Sequence, residues 1–131
     1  MSADDPVVAG RRTIVVVEDD PEIRDLETFL LATEGYHVVG LADGEEVAAT
    51  VKHVRADVVL LDLMLPRKNG NAVLQELQRD PATNRVPVIV VSAYTKQLRG
   101  TPQVKRVIAK PFDLTELLDA VAASFEGRGE R

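Results

Sequence analysis

The sequence predicts an α/β domain: a five-stranded parallel sheet with helices on both faces. Three observations lead there. Five short runs read as strands, and the first, 13–17, is β-branched without apolar–polar alternation, as expected for a strand buried on both sides. Segments with apolar residues at helical spacing lie between them. The resulting strand–helix alternation implies parallel strands joined by right-handed crossovers. A chain of 131 residues suits one domain with a single core, and no internal repeat or second domain is visible.

Residues 1–12 read as a flexible lead-in, polar and carrying Asp4 and Asp5. The run 13–17 is the first strand. Pro21 fits the first turn of a helix over 21–34, Asp20 caps it from outside, and Gly35 closes it. Ile23, Leu26, Phe29 and Leu30 recur on it at helical spacing. Residues 36–41 form a shorter strand, and Asp43-Gly44 makes a turn. The next helix, 45–54, places Val47, Ala48, Val51 and Val54 on one face. Residues 58–61 are the third strand and 63–69 a solvated loop with Pro66, Arg67 and Lys68. A third helix, 70–79, turns Val73, Leu74 and Leu77 inward and ends before Asp80-Pro81. The fourth strand, 86–91, has Pro87 near its start, where a missing N–H matters least. The fifth strand is 106–109. In the closing helix, 113–125, Asp113 is the N-cap and Glu116 follows three residues on, a capping-box pattern. Residues 126–131 form a tail.

One connection is short. Between Ser92 and Arg106, Gly100 and Pro102 leave room for at most about one and a half turns at 3.6 residues per turn. The fourth helix is therefore expected to be short or irregular.

Composition excludes several classes. The net charge of -5 opposes a dominant electrostatic attraction to nucleic acid. The absence of cysteine excludes disulfides and thiolate chemistry. Residues 1–12 lack the apolar stretch of a signal peptide, and no run approaches the roughly 20 apolar residues of a membrane span. A cytoplasmic protein with no membrane contact is expected.

Chemistry gathers where the strands end. Ligands of open parallel sheets bind beyond the carboxyl ends of the strands. Glu18 and Asp19 follow the first strand, Asp62 the third, Ser92 the fourth and Lys110 the fifth. Buried charges need a partner or a metal. Clustered carboxylates repel one another, and a bound cation relieves this. Mg2+ takes one or two carboxylates and keeps positions for water and phosphate oxygen. An aspartate can become an aspartyl phosphate. Lys110 then offers a charge, and Ser92 a hydroxyl, to the phosphoryl oxygens. His37 and His53 have no spaced partners suggesting a triad.

Four blocks, Val16-Val17-Glu18-Asp19-Asp20, Leu61-Asp62-Leu63-Met64-Leu65-Pro66, Val90-Val91-Ser92-Ala93 and Lys110-Pro111-Phe112, resemble the signatures of response-regulator receiver domains. The resemblance covers residues 13–125. It implies a flavodoxin-like sheet of order 2-1-3-4-5. It also implies Asp62 as phosphoacceptor for a sensor histidine kinase or phosphotransfer protein, with autodephosphorylation as the only other chemistry. Mg2+ would be held by Asp62, Asp19, Glu18 (through water) and the Met64 carbonyl. Ser92 would be the switch hydroxyl and Lys110 the phosphate-pairing lysine, before a cis proline bond.

Two departures bear on output. The interval from Ser92 to Lys110 is about four residues shorter than in typical receivers, which signal through helix four, strand five and helix five. The usual aromatic switch position, three before the lysine, holds Val107; Tyr94 is a candidate substitute. With no output domain in the sequence, the expected action is phosphorylation-dependent binding of an unknown downstream protein, phosphate relay or homodimerisation. No direct nucleic-acid binding is expected. The alternative is a degenerate receiver that binds partners constitutively. A small-molecule phosphatase is disfavoured because Met64 stands where a general acid is needed, and a nucleotide-binding module because no glycine-rich loop follows the first strand.

Overall fold

The computed structural model describes residues 10–126. The lead-in and tail expected at 1–9 and 127–131 lie outside them. Five strands, β1 (Thr13–Val17), β2 (His37–Leu41), β3 (Val58–Leu61), β4 (Val88–Ser92) and β5 (Val104–Ala109), form one parallel sheet of order β2-β1-β3-β4-β5. Four α-helices accompany them: α1 (Pro21–Thr33), α2 (Val47–Val54), α3 (Gly70–Arg79) and α4 (Leu114–Ala123).

Successive strand residues point to opposite faces, so each central strand feeds two cores. Val15, Val17, Val59, Leu61, Val88 and Val90 pack with residues of α2 and α3. Ile14, Val16, Val58, Leu60, Ile89 and Val91 pack with Leu31 of α1 and with Leu117 and Val121 of α4. This two-sided burial explains the absence of alternation in the sequences of β1, β3 and β4. Arg12 is already tied in. Its carbonyl accepts the His37 N–H at 2.9 Å, and its guanidinium lies 4.7 Å from the Phe125 ring centroid.

Helix α1 differs from its expected packing. Its inward line is Ile23, Glu27 and Leu31, four residues apart; Leu26 is exposed and Phe29 is 66% exposed. Apolarity drew the stripe beside its true centre, because a glutamate occupies that centre. Asp20 caps the helix as expected, accepting the Glu22 N–H at 2.9 Å. In α4, Asp113 accepts the Thr115 N–H at 2.8 Å, whereas Glu116 pairs with Arg106 at 3.6 Å. The capping box is thus half formed, since its glutamate is drawn to a cation on the neighbouring strand.

The short connection contains a single 3-10 turn, Thr95–Gln97. Asn71 on α3 clamps it: its Nδ2 donates to the Gln97 carbonyl and its Oδ1 accepts the Arg99 N–H, both at 2.8 Å. Gln103 then donates to the Thr83 and Val86 carbonyls at 2.6 and 2.8 Å. Side-chain hydrogen bonds do the holding that a helix's apolar face usually does. Strand β5 starts earlier than expected and carries an irregularity, pairing Val104 with Val88 but Arg106 with Ile89.

Candidate functional site

The sheet itself positions the site. Its ladder runs one residue past the strands: the Glu18 N–H donates to Leu41 O (3.0 Å), the Asp62 N–H to Val17 O (3.1 Å) and the Lys110 N–H to Ser92 O (3.1 Å). Three polar side chains distant in sequence are thereby fixed at one sheet edge. Lys110 Nζ donates to Asp62 Oδ2 at 2.8 Å and to Glu18 Oε1. Both carboxylates are buried, while Asp19 is exposed.

The remaining oxygens are also organised. Asp62 Oδ1 accepts the Met64 N–H at 3.2 Å, and Glu18 Oε2 accepts the Asp20 N–H at 3.1 Å. Arg24 donates to the Glu18 carbonyl at 2.8 Å. Burial pushes the Glu18 carboxyl up, only partly offset by the Lys110 hydrogen bond. Burial opposes the Lys110 charge, but hydrogen bonds to Asp62 and Glu18 outweigh it and the lysine titrates above its ordinary value. The protonated lysine is therefore the favoured form.

Glu18, Asp19 and Asp62 each present an oxygen within 4.8 Å of the others. Three ionised carboxylates against one ammonium leave two negative charges, which a divalent cation balances. All-oxygen donors fit a hard ion such as Mg2+. The structure brings Glu18, Asp19, Asp62 and Lys110 together. Met64 stands two residues after Asp62 with an exposed side chain, and the Lys110-Pro111 bond is cis.

Ser92 lies fully buried as the last residue of β4, and its Oγ accepts the Tyr94 N–H at 3.1 Å. Tyr94 opens the 3-10 turn with its side chain half exposed, and Val107 is exposed on β5. Arg67 and Lys68, read as a solvated loop, lie at the surface and also pair with Asp43 and Glu76, each at 2.8 Å. An apolar cavity of about 430 Å3 adjoins the site between Ile23 and Leu26 of α1 and Pro111, Phe112 and Leu114, with Lys110 on its wall.

Three contributors were not singled out from the sequence. Glu27 is 2% exposed on α1 and is pushed up to about 8 by burial and then by the Glu18 charge. Its only sequence signal is a charge on the line joining Ile23 and Leu31. Asn71 gave no signal, because its partners lie across a loop. Gly70 lets the loop after β3 turn tightly: an added Cβ would sit 2.6 Å from Leu63 Cα and 2.7 Å from Asp62 O. Gly70→Ala is accordingly expected to cost roughly 1–3 kcal/mol of unfolding free energy by overpacking. Gly100→Ala, where a Cβ meets nothing within 4 Å, should stay within about 0.5 kcal/mol. Urea denaturation of both variants checks this.

The parallel sheet thus carries an acidic cluster and a lysine together at the carboxyl ends of its strands. The model of the response regulator receiver domain matches residues 14–122, and the chain belongs to that family. It is 35% identical over 114 residues to the DNA-binding dual master transcriptional regulator RpaA of Synechocystis, covering 84% of this chain and 47% of the relative. It is 34% identical over 117 residues to the DNA-binding response regulator MtrA of Mycolicibacterium smegmatis, covering 86% and 50%. The chain thus spans about half the length of these curated relatives. Among solved structures, it resembles a sensor histidine kinase receiver domain from Pseudomonas aeruginosa with a magnesium ion in its active-site cleft. That match has a TM-score of 0.76 and 28% identity, covering 86% of this chain and 96% of that one. No described helix is long and apolar enough to cross a membrane.

Proposed function

We propose that the chain is a phosphorylation-dependent switch in which Asp62 accepts a phosphoryl group from a histidine kinase or phosphotransfer protein. The observation carrying this reading is the Lys110 ammonium bonded to both Asp62 and Glu18 at the sheet's carboxyl edge. An Asp62 oxygen attacks phosphorus as the bond to the donor imidazole nitrogen breaks. The electron pair of that bond stays on the imidazole, whose other ring nitrogen already carries a proton, so the ring leaves neutral. Lys110, already beside Asp62, pairs with the negative phosphoryl oxygens. Mg2+, held by Glu18, Asp19, Asp62 and the Met64 carbonyl, would supply further neutralisation of those oxygens.

Ser92 is the route outward. Its hydroxyl now accepts the Tyr94 N–H. Turning the hydroxyl toward a phosphoryl group on Asp62 withdraws that acceptor and loosens the start of the 94–99 link. The message thus leaves through the backbone at Tyr94, at a position where Val107 supplies no aromatic ring.

Incubation with Mg2+ and acetyl phosphate is expected to add one phosphoryl group, read by intact mass. Asp62→Asn should stay unmodified. If the wild type also stays unmodified and Mg2+ produces no spectral change, constitutive partner binding replaces this reading.

A further inference from the structure

We infer that the cavity at the amino ends of β3 and β4 is a binding site for a small phosphate monoester with an apolar body. It lies at the opposite end of the sheet from Asp62 and is separate from the proposed switch.

The topology assembles it. Strands β3 and β4 are paired neighbours, with Val59 level with Val88. Ala56 and Arg85 each precede that pair by three residues, so distant parts of the chain meet at one edge. The cavity there has a volume of about 440 Å3, within the range of small-molecule sites. Val51, Ala56 and Val86 give it an apolar wall, and Lys52, Arg55 and Arg85 bring cations to it. Val51 and Ala56 belong to the core under α2 and α3, and Val86 packs against that core. The wall is therefore fixed by core packing, while the three cations stay exposed.

Little balances these like charges. Arg55 and Arg85 have no ion pair and no side-chain hydrogen bond among the described residues. Lys52 stands 3.7 Å from Asp80 Oδ2, with both side chains well exposed, and such a pair contributes little. Asp57, next to Ala56, is buried and accepts the Thr13 N–H at 2.7 Å. No acidic residue lines the cavity among the described residues. The carbonyl end of α2 favours a cation on its last turn, which accounts for Lys52. It does not account for Arg85, on the link into β4.

The backbone of Arg55 is the further sign. It closes α2 in the left-handed region, at φ 53° and ψ 57°, where helices commonly end in glycine. An L side chain is disfavoured there. Glycine would make this turn more easily, whereas arginine adds a guanidinium at the cavity, and strain beside a pocket points to function.

Two planar guanidiniums and an ammonium suit a phosphate dianion, which accepts paired bonds from arginine. The apolar wall suits a body attached to it. Burying about 60 Å2 of ring there is worth roughly tenfold in affinity. The net charge of -5 opposes an extended polyanion such as nucleic acid.

The test titrates phenyl phosphate, and separately inorganic phosphate and phenol, into the full chain in chelator at low salt. Calorimetry measures affinity, and amide chemical shifts locate the site. Phenyl phosphate is expected to bind roughly tenfold or more tightly than either half, with shifts centred on Val51, Lys52, Arg55, Ala56 and Arg85. Arg55→Gly keeps the left-handed turn, so it should fold at least as stably, yet weaken binding about tenfold. Arg85→Gln should weaken it similarly, and Arg55→Lys less. Asp80→Asn keeps an oxygen for the Ala82 N–H and should tighten binding by freeing Lys52. Acetyl phosphate with Mg2+ should still modify Asp62 in every variant, so this site and the phosphoacceptor are read independently. Inorganic phosphate binding as tightly as the ester, shifts centred on Asp62 and Lys110, or wild-type affinity in Arg55→Gly would overturn the inference. So would the absence of binding at millimolar phenyl phosphate.

Discussion

Lys110→Met is expected to remove phosphorylation by acetyl phosphate and to lower the unfolding free energy by about 2–4 kcal/mol in chelator. The loss follows from what the ammonium leaves behind. Glu18 and Asp62 are both buried, and Lys110 holds one oxygen of each. Without it, two dehydrated carboxylates face each other with only backbone N–H donors for support. Losing one partner of a buried charge pair costs more than the pair itself contributes, because the survivor remains dehydrated. Methionine keeps most of the stem's volume, so little of the loss reflects packing. Mg2+ discriminates this account from a packing defect. It should stabilise the variant more than the wild type, since it meets carboxylates that no ammonium neutralises. Urea unfolding with and without millimolar Mg2+ measures both effects. Equal stability of the two proteins in chelator would mean that the carboxylates are not jointly charged, and the electrostatic reading of the site would fall.

How much of this was legible in the sequence depended on the range of the interaction. The strand-end residues were legible because the ladder holds them. Once 13–17, 58–61 and 106–109 read as parallel strands, Glu18, Asp62 and Lys110 had to meet at one edge. The broken fourth helix was legible because Gly100 and Pro102 deny it length. The clamp that replaces it was not, since Asn71 reaches Gln97 and Arg99 through tertiary placement alone. Ser92 was placed just past β4, whereas it closes that strand with its amide neighbours committed to the sheet. The surface position of Arg67 and Lys68 was legible, but their pairing with Asp43 and Glu76 was not, because those partners come from other segments.

Helix α1 shows a different limit. Assigning its inward face by apolarity assumes that the buried line is the apolar one, and Glu27 breaks that assumption. Leu31 and Ile23 fix the helix phase, and Glu27 lies midway between them. Apolar burial at both ends brings a carboxyl inside, where only protonation makes it tolerable.

That carboxyl makes the protein's stability depend on pH in a defined direction. In the unfolded chain Glu27 titrates near 4.5, and in the folded protein near 8. Between those values the folded protein holds a proton that the unfolded chain has released. Stability from this residue is complete below about pH 4.5, falls as pH rises, and levels off above about pH 8. At 1.36 kcal/mol per pH unit, the cost at pH 7 is about 3 kcal/mol. Glu27→Leu is expected to recover that amount at pH 7, because it removes the carboxyl and fills the same buried line with methyl groups. Glu27→Gln should remove the pH dependence but keep a buried amide, so it should gain less. The measurement is urea unfolding of the three proteins at pH 5, 7 and 8. The Leu–wild-type difference should widen by roughly 3 kcal/mol from the lowest pH to the highest. A constant difference would mean that Glu27 does not titrate in this window. The same proton bears on the site, because Glu27 and Glu18 repel when both are ionised. A neutral Glu27 at pH 7 keeps a further negative charge away from Glu18 and Asp62, and Glu27→Leu makes that condition permanent.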